Sequence, residues 1–306
     1  MTKPLVLVHP PLGLFELQLA SFYEVLHWPT DRKDVTAAIT VGSTGLSNAM
    51  IDALPALKSI ICFGVGVDGL DLSYCRQRGV AVSYGPNINN EDVADVAIGL
   101  IIAVARGFTL GERVLREGKW APPMPIPPQK RLRGRKLGIV GMGSIGQAIA
   151  ARAEPFGLEI KWTGPRAKPE VKHGYEPDLL ALAQWADILA LCPRADKSTE
   201  GLVSAAVIEA LGGDGMLINV SRGSVVDEAA LIAALKAGKL GAAGLDVFVE
   251  EPTPVSRWAD VPNVTLLPHL GGLTSAALFQ GAQNVLENLR RHFAGEPLAT
   301  PVPDTM

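Results

Sequence analysis

The stretch Leu137-Gly-Ile-Val-Gly141-Met-Gly143-Ser-Ile-Gly146-Gln-Ala-Ile-Ala150 decides the fold. A short apolar strand leads into Gly-x-Gly-x-x-Gly, and an apolar helix pattern follows. Gly141 permits the tight turn, Gly143 lets a pyrophosphate approach the backbone, and Gly146 lets the helix lie close to the strand. Because the N–H groups at the start of the helix attract phosphate charge, the pattern predicts a dinucleotide site.

The composition indicates a two-domain protein without nucleic-acid or membrane partners. The 306 residues are 48% hydrophobic, enough for two cores, and the net charge of −3 gives no basic footprint. No leader is visible, and the most apolar stretch, residues 96–104, is far shorter than the ~20 residues of a membrane span. Cys62, Cys75 and Cys192 have no metal-ligand spacing, which fits reduced thiols, no metal and a cytoplasmic location.

Short apolar runs alternate with helical patterns in both halves of the chain. In the first hundred residues the runs predict strands over 5–8, 37–41, 60–63 and 80–83. From Leu137 onward they predict six strands, over 137–140, 159–163, 188–191, 216–220, 242–247 and 264–267. Six strands with helices between them match a doubly wound dinucleotide fold.

The remaining segments set the domain organisation. Residues 91–106 predict an apolar helix, and the proline-rich residues 117–135 predict an extended covering segment, in which Trp120 is interpreted as a packing aromatic rather than an interface residue. A last helix, about 274–293, is expected to return to the first domain. We therefore predict an α/β protein with two doubly wound parallel-sheet domains: a Rossmann domain, residues 105–274, inserted in a flavodoxin-like substrate domain, residues 1–104 and 275–306.

Three further motifs follow predicted strands in order. They are Asn219-Val-Ser-Arg222-Gly, Gly244-Leu-Asp246-Val-Phe-Val-Glu-Glu251-Pro252 and Leu267-Pro268-His269-Leu-Gly-Gly. With them, the chain resembles the D-isomer-specific 2-hydroxyacid dehydrogenase family, from Gly64-Val-Gly-Val-Asp-Gly to the proline-rich tail. Within that family it is most similar to the glyoxylate/hydroxypyruvate and hydroxyphenylpyruvate reductases.

The residue types suit reduction of a 2-keto acid, which needs a hydride donor, a proton donor and a cation. His269 suits general acid work, because its pKa lies near the operating pH. A carboxylate beside it, assigned to Glu251, favours the imidazolium, and Arg222 offers a permanent charge. Each residue alone has an ordinary structural explanation, and Glu250 is an equally acidic neighbour. The resemblance implies the same three catalytic roles, with Arg222 and His269 also touching substrate.

The glycine-rich run that begins at Gly64 is a second candidate for substrate binding. By itself the run is a strand-to-helix turn. The resemblance implies that the backbone N–H groups of Val65 and Gly66 bind the substrate carboxylate, which requires small residues for close approach.

The end of the second Rossmann strand predicts the cofactor. NAD-specific sites place an acid about 20 residues beyond the glycines, yet no Asp or Glu follows this strand until Glu170. Thr163, Gly164 and Arg166 instead offer a hydroxyl, open backbone and a cation for a 2′-phosphate. We therefore expect NADPH to be preferred over NADH; the alternative is a solvated basic turn that accepts both cofactors.

Position and resemblance together suggest further cofactor contacts. Ser144 and Ile145 are expected at the pyrophosphate, and Cys192 and Pro193 beside the adenosine. Val220 and Asp246 are expected at the nicotinamide amide, although Asp246 is also explained as a strand-end turn former. Arg222, His269 and Gly271 complete the predicted set.

The expected function is NADPH-dependent reduction of a small 2-keto acid, such as glyoxylate, hydroxypyruvate or an aryl pyruvate, to the D-2-hydroxy acid. One alternative is an NAD-dependent D-2-hydroxyacid or phosphoglycerate dehydrogenase. Another, from a different class, is a dinucleotide-sensing regulator, since the family resembles certain corepressors. The family also leads us to expect a homodimer.

Overall fold

The structure is a computed structural model that describes residues 3–304, so the predicted domain ends at residues 1, 2, 305 and 306 lie outside it. The chain divides into two compact units, Met1–Asn89 with Thr274–Met306 and Asn90–Leu273. Within the described part, the strands are β1 (Leu5–Val8), β2 (Glu24–His27), β3 (Ala37–Val41), β4 (Ser59–Phe63), β5 (Ala81–Ser83), β6 (Lys136–Val140), β7 (Glu159–Thr163), β8 (Gly174–Tyr175), β9 (Ile188–Leu191), β10 (Met216–Asn219), β11 (Ala242–Leu245) and β12 (Val264–Leu266).

The α-helices are α1 (Leu14–Leu19), α2 (Asn48–Ala53), α3 (Leu72–Gln77), α4 (Asn90–Arg106), α5 (Phe108–Arg116), α6 (Ser144–Ala153), α7 (Leu179–Trp185), α8 (Ala205–Leu211), α9 (Glu228–Lys236), α10 (Val255–Trp258) and α11 (Ser275–Ala294). No single helix in residues 3–304 is long and apolar enough to cross a membrane. Only α4 and α5 taken together pass a test of length and composition, and that pair is bent by 61°.

The first unit is a five-stranded parallel sheet in the order β2-β1-β3-β4-β5, as in flavodoxin-like domains. Alternate residues of each strand point to opposite faces, so Leu7 packs with α2 and α3, whereas Val6 and Val8 pack with α1 and α11. The edge strand β2 was not among the predicted strands. Its residues are only partly buried, so it lacks the continuous apolar run of the central strands.

The second unit is a seven-stranded parallel sheet in the order β12-β11-β10-β9-β6-β7-β8. Strand order reverses between β6 and β9, the position at which doubly wound sheets bind ligands. Leu137 and Ile139 pack against α4 and α6, and Val140 packs with α7 to α9 on the other face. The edge strand β8, which was not among the six predicted strands of this unit, has only two residues and is too short to give a hydrophobic pattern in the sequence. The predicted fold class is confirmed in both units.

Two details differ from the sequence-based expectations. The unit boundary falls between Asn89 and Asn90 rather than after residue 104, because buried residues of α4 pack on β10, β11 and α6 in the second unit. Residues 117–135 contain no helix or strand, as expected, but Trp120 is 67% exposed. The interpretation of Trp120 as a packing aromatic is therefore wrong.

Candidate active site

The glycine loop joins β6 to α6. Gly141 has a φ of +95°, and a Cβ atom there would lie 2.7 Å from the Pro193 Cα. At Gly146 a Cβ would lie 2.1 Å from the Gly141 carbonyl oxygen, so glycine lets the helix approach the strand. Apart from Gly143 and its two chain neighbours, no atom of residues 3–304 lies within 4 Å of the Cβ position at Gly143, and no side chain caps α6 there. The open loop and the helix N-terminus together suit a pyrophosphate.

One side of this loop is held by the residues that follow β9. The Cys192 thiol donates to the Gly141 carbonyl at 3.0 Å, and burial raises the pKa of that thiol to about 12. Cys192 is therefore a protonated hydrogen-bond donor at neutral pH rather than a nucleophile. The Ser221 hydroxyl donates to the Pro193 carbonyl at 2.6 Å, which ties this segment to the loop that carries Arg222.

The other side of the glycine loop is the end of β7. Arg166 is exposed and has no hydrogen bond or ion pair within the described part of the chain. Thr163 is only 6% exposed, and its hydroxyl points to the Pro177 carbonyl at 3.5 Å, so it offers less to a ligand than its position suggested. The Lys168 ammonium donates to the Met142 carbonyl at 2.7 Å.

Lys168 was not among the predicted site residues, although it belongs to the same basic run as Arg166. Its contact depends on how the segment after β7 folds back over the glycine loop, which no sequence spacing specifies. The contact places a positive charge directly on the glycine loop.

His269 and Glu251 form a hydrogen-bonded pair. The His269 Nδ1 lies 2.7 Å from the Glu251 Oε2, and the Phe248 N–H donates to the Glu251 Oε1 at 2.9 Å. Burial raises the pKa of the Glu251 carboxyl, but the hydrogen bonds from His269 and Phe248 and the charges of His269 and Arg222 outweigh it, so the pKa lies below its usual value. Glu251 is therefore an ionised hydrogen-bond partner of the His269 ring.

The loop that carries Arg222 follows β10 and packs directly on the Glu251 loop. A Cβ at Gly223 would lie 1.9 Å from the Phe248 carbonyl carbon, so only glycine permits this approach. The Asn219 side chain donates to the Arg222 carbonyl at 3.0 Å and accepts from the Ser221 N–H at 3.0 Å. These bonds fix the backbone from which the Arg222 guanidinium projects, near enough for its charge to act on Glu251.

Asp246 holds the His269 loop in place. It is 2% exposed, and its two carboxylate oxygens accept the Leu270 N–H at 2.7 Å and the Gly271 N–H at 2.8 Å. Burial raises the pKa of Asp246 against the lowering effect of these two bonds. The His269 N–H donates to the Asp246 carbonyl at 2.9 Å, and His269 has a φ of +55°, a strained backbone that such contacts maintain.

The Glu251 loop has a second anchor, which sequence reasoning missed. Glu228, the first residue of α9, accepts the Val249 N–H at 3.0 Å and pairs with Arg257 at 2.9 Å. Arg257 also lies 3.5 Å from Glu250, whose side chain is 58% exposed. Of the two adjacent acids, Glu251 faces His269 and Glu250 faces solvent, which separates the predicted catalytic carboxylate from its neighbour.

In the first unit, Val65 and Gly66 lie in the turn that follows β4. A Cβ at Gly42 would lie 1.8 Å from the Gly66 carbonyl oxygen, and the Gly69 N–H donates to the Gly42 carbonyl at 2.6 Å. The absence of a side chain at Gly42 therefore lets the loop after β3 pack directly against the loop after β4. Within residues 3–304, the N–H groups of Val65 and Gly66 donate to no protein acceptor, which suits binding of an anion.

The remaining predicted contacts lie at the same edge of the second unit's sheet. Val220 is 6% exposed directly after β10, Ile145 packs partly against the core at the start of α6, and Gly164 accepts the Tyr175 hydroxyl at 2.9 Å. Within residues 3–304, no group of three or more His, Cys, Asp or Glu side chains is placed to hold a metal ion.

The fold and this edge define a dinucleotide-dependent oxidoreductase: the glycine loop, a histidine–carboxylate pair and an arginine all follow strands of one parallel sheet. Residues 98–271 match the family model described as "D-isomer specific 2-hydroxyacid dehydrogenase, NAD binding domain". The chain belongs to the D-isomer-specific 2-hydroxyacid dehydrogenase family.

Individual relatives agree with this membership. The chain is 40% identical over 273 residues to glyoxylate/hydroxypyruvate reductase A of Arabidopsis thaliana, covering 89% of this chain and 87% of that protein. It is 40% identical over 271 residues to hydroxyphenylpyruvate reductase of Plectranthus scutellarioides, covering 88% and 86%. The NADPH-dependent glyoxylate/hydroxypyruvate reductase of Sinorhizobium meliloti, solved with NADP and malonate, superposes with a TM-score of 0.92 at 36% identity, covering 99% and 98%. The predicted family, enzyme class and use of a nicotinamide cofactor are confirmed.

Proposed function

We propose that this protein reduces a small 2-keto acid to the D-2-hydroxy acid with NADPH. Glyoxylate, hydroxypyruvate and aryl pyruvates are the proposed substrates, since the similar reductases are named for acids of this kind. The observation that carries the proposal is the 2.7 Å hydrogen bond between the His269 Nδ1 and the Glu251 Oε2. It supplies a proton donor of the type that carbonyl reduction requires.

Each side chain has a distinct role in the proposed reaction. Because Glu251 engages the Nδ1 of His269, the Nε2 carries the proton that goes to the substrate carbonyl oxygen. Arg222 binds the carboxylate and polarises the carbonyl, and the N–H groups of Val65 and Gly66 bind the carboxylate. The nicotinamide, when bound, supplies the hydride. The glycine loop and Val220 position the cofactor, and Asp246 supports the loop that carries His269.

A matched pair of variants tests the proton donor. We expect His269→Ala to lower kcat by about 10²–10⁴-fold while NADPH still binds. Glu251→Gln removes the charge that stabilises the imidazolium and is expected to lower kcat at least ~10-fold. Glu250→Gln, one residue away and solvent-facing, is the control and leaves kcat unchanged. Equal effects of the two glutamine substitutions contradict the assignment.

NADPH is proposed as the preferred cofactor because cations and no acid follow β7. Arg166 is exposed, and Lys168 places its ammonium on the glycine loop. A 2′-phosphate gains charge-assisted hydrogen bonds from such groups, whereas NADH offers them only a hydroxyl. In steady-state kinetics we expect a higher kcat/KM for NADPH and a reduced preference in Arg166→Ala. Equal kcat/KM for both cofactors in the unaltered enzyme contradicts this part.

We further propose a cytoplasmic homodimer. The three cysteines are free thiols, which suits a reducing compartment. Exposed apolar side chains cluster in and after α5: Phe108 is 58% exposed, Leu115 60%, Trp120 67% and Met124 62%. Such a patch marks an interaction surface, and a second copy of the chain is the proposed occupant. Sedimentation or light scattering tests it: Trp120→Asp is expected to shift a dimer toward monomer, and a parent protein that is already monomeric refutes it.

A further inference from the structure

The loop that follows β9 is held firmly beside the glycine loop. Pro193 packs tightly against Gly141, since a Cβ atom built at Gly141 would lie only 2.7 Å from the Pro193 Cα. The Ser221 hydroxyl donates a hydrogen bond to the Pro193 carbonyl at 2.6 Å. That carbonyl belongs to the peptide bond leading into Arg194. The backbone of Arg194 is therefore fixed next to the glycine loop, although neither the glycine pattern nor the other motifs involve this residue.

The rest of the loop is ordered by its own side chains. The Thr199 hydroxyl donates to the Arg194 carbonyl at 3.0 Å and accepts the Asp196 N–H at 2.8 Å. One carboxylate oxygen of Asp196 accepts both the backbone N–H and the hydroxyl of Ser198, at 2.8 and 2.6 Å. Asp196 is thus committed mainly to its own turn, and these bonds hold the pKa of its carboxyl below the usual value.

The Arg194 side chain keeps most of its donors available. It is 50% exposed, and its closest charged partner in residues 3–304 is Asp196, at 3.8 Å from the Nε. That distance is longer than a hydrogen bond, so the two terminal nitrogens of the guanidinium are not committed to this pair. A planar fork of two N–H donors matches a phosphate group.

We propose that Arg194 binds a phosphate group of the dinucleotide. Strand β6 lies between β9 and β7, so Arg194 stands on one side of the glycine loop, and Arg166 and Lys168 stand on the other. Cations on both sides of the open Gly143 position give the anionic cofactor a two-sided electrostatic clamp. The phosphate is either the pyrophosphate, which NADH and NADPH share, or the 2′-phosphate, which only NADPH carries.

Direct binding measurements on the whole protein test the proposal. Isothermal titration calorimetry with NADPH, NADH, 2′,5′-ADP and 5′-AMP is compared for the parent protein, Arg194→Gln and Lys197→Gln. Lys197 is exposed in the same loop and makes no ion pair within the described residues, so it controls for loss of one positive charge. The thermal midpoint of each variant establishes that it is folded.

We expect Arg194→Gln to weaken NADPH binding by about tenfold, the effect of losing one charge-assisted contact, and Lys197→Gln to change it less than twofold. If Arg194→Gln weakens NADH binding as much as NADPH binding, Arg194 contacts the pyrophosphate. If only NADPH and 2′,5′-ADP bind more weakly, Arg194 contacts the 2′-phosphate. Unchanged binding in Arg194→Gln, or equal losses in both variants, overturns the proposal. The inference rests on the part of the proposed function in which the protein binds a nicotinamide dinucleotide, and it does not require a preference for NADPH. If that preference is absent, the parent protein binds NADPH and NADH with equal affinity, which is distinguishable from the effect of Arg194→Gln.

Discussion

Removal of the Glu228 side chain tests whether the Glu251 loop is anchored from α9. Glu228→Ala leaves the Val249 N–H without its acceptor at 3.0 Å and removes the closer of the two acidic partners of Arg257, at 2.9 Å, so that only Glu250 at 3.5 Å remains. Val249 is 57% exposed, so water can replace the lost acceptor, and losing this hydrogen bond costs about 0.5–1.5 kcal/mol. The ion pair adds about 0–1 kcal/mol, because Arg257 is 34% exposed and solvent screens it. We therefore expect a total of about 1–2 kcal/mol.

Two readouts follow from this magnitude. A loss of about 1–2 kcal/mol lowers the thermal midpoint by roughly 2–8 °C for a unit of this size. Since Phe248, next to Val249, donates to Glu251, the freed loop also misplaces the carboxylate, and kcat is expected to fall more than the substrate KM rises. Differential scanning calorimetry and steady-state NADPH oxidation measure the two effects.

Two controls make the Glu228 result specific. Glu228→Gln keeps an acceptor for the Val249 N–H and is expected to retain most of the stability and kcat. Glu209→Ala removes an exposed carboxylate, 3.5 Å from Lys239, and is expected to cost less than about 0.5 kcal/mol. If Glu228→Ala is no more harmful than Glu209→Ala in calorimetry and turnover, the anchoring argument is wrong.

Three further predictions concern the supporting residues. Gly223→Ala is expected to destabilise by about 3 kcal/mol in chemical denaturation, because its Cβ would overlap Phe248; a near-neutral result contradicts the loop packing. Asp246→Asn places an amide donor against a backbone N–H and is expected to cost about 2–3 kcal/mol, whereas an unchanged midpoint contradicts the two-acceptor geometry. Burial lowers the pKa of His292 below 6.5, so the neutral imidazole stabilises the folded state fully above pH 6.5, and this stabilisation is lost as the pH falls through the folded pKa. Between pH 7 and 5 the parent protein should therefore lose more stability than His292→Gln. Equal losses in the two proteins contradict this.

The sequence was sufficient to predict the two sheets because buried parallel strands form continuous apolar runs. Strands β2 and β8 were missed for a related reason: β2 is a partly exposed edge strand, and β8 has two residues. The assignment of α4 to the first domain failed because an apolar helix reveals that it is buried but not which sheet buries it.

The common location of Arg222, Glu251 and His269 could be predicted because the three residues follow consecutive strands of one parallel sheet, whose carboxyl ends share an edge. The residues that hold these loops in place could not be predicted from the sequence. Glu228 reaches the Glu251 loop from a helix, and Lys168 reaches the glycine loop from a folded turn. Such contacts depend on side-chain direction after the chain has folded, which residue spacing does not encode.

One measurement tests the central claim most directly: the oxidation of NADPH and of NADH by the purified protein with glyoxylate, hydroxypyruvate and phenylpyruvate, with His269→Ala in parallel. We predict turnover of at least one of these acids, a higher kcat/KM with NADPH, and loss of about 10²–10⁴-fold in kcat in the variant. No turnover with any of the three acids, or near-parental turnover in His269→Ala, would contradict the account.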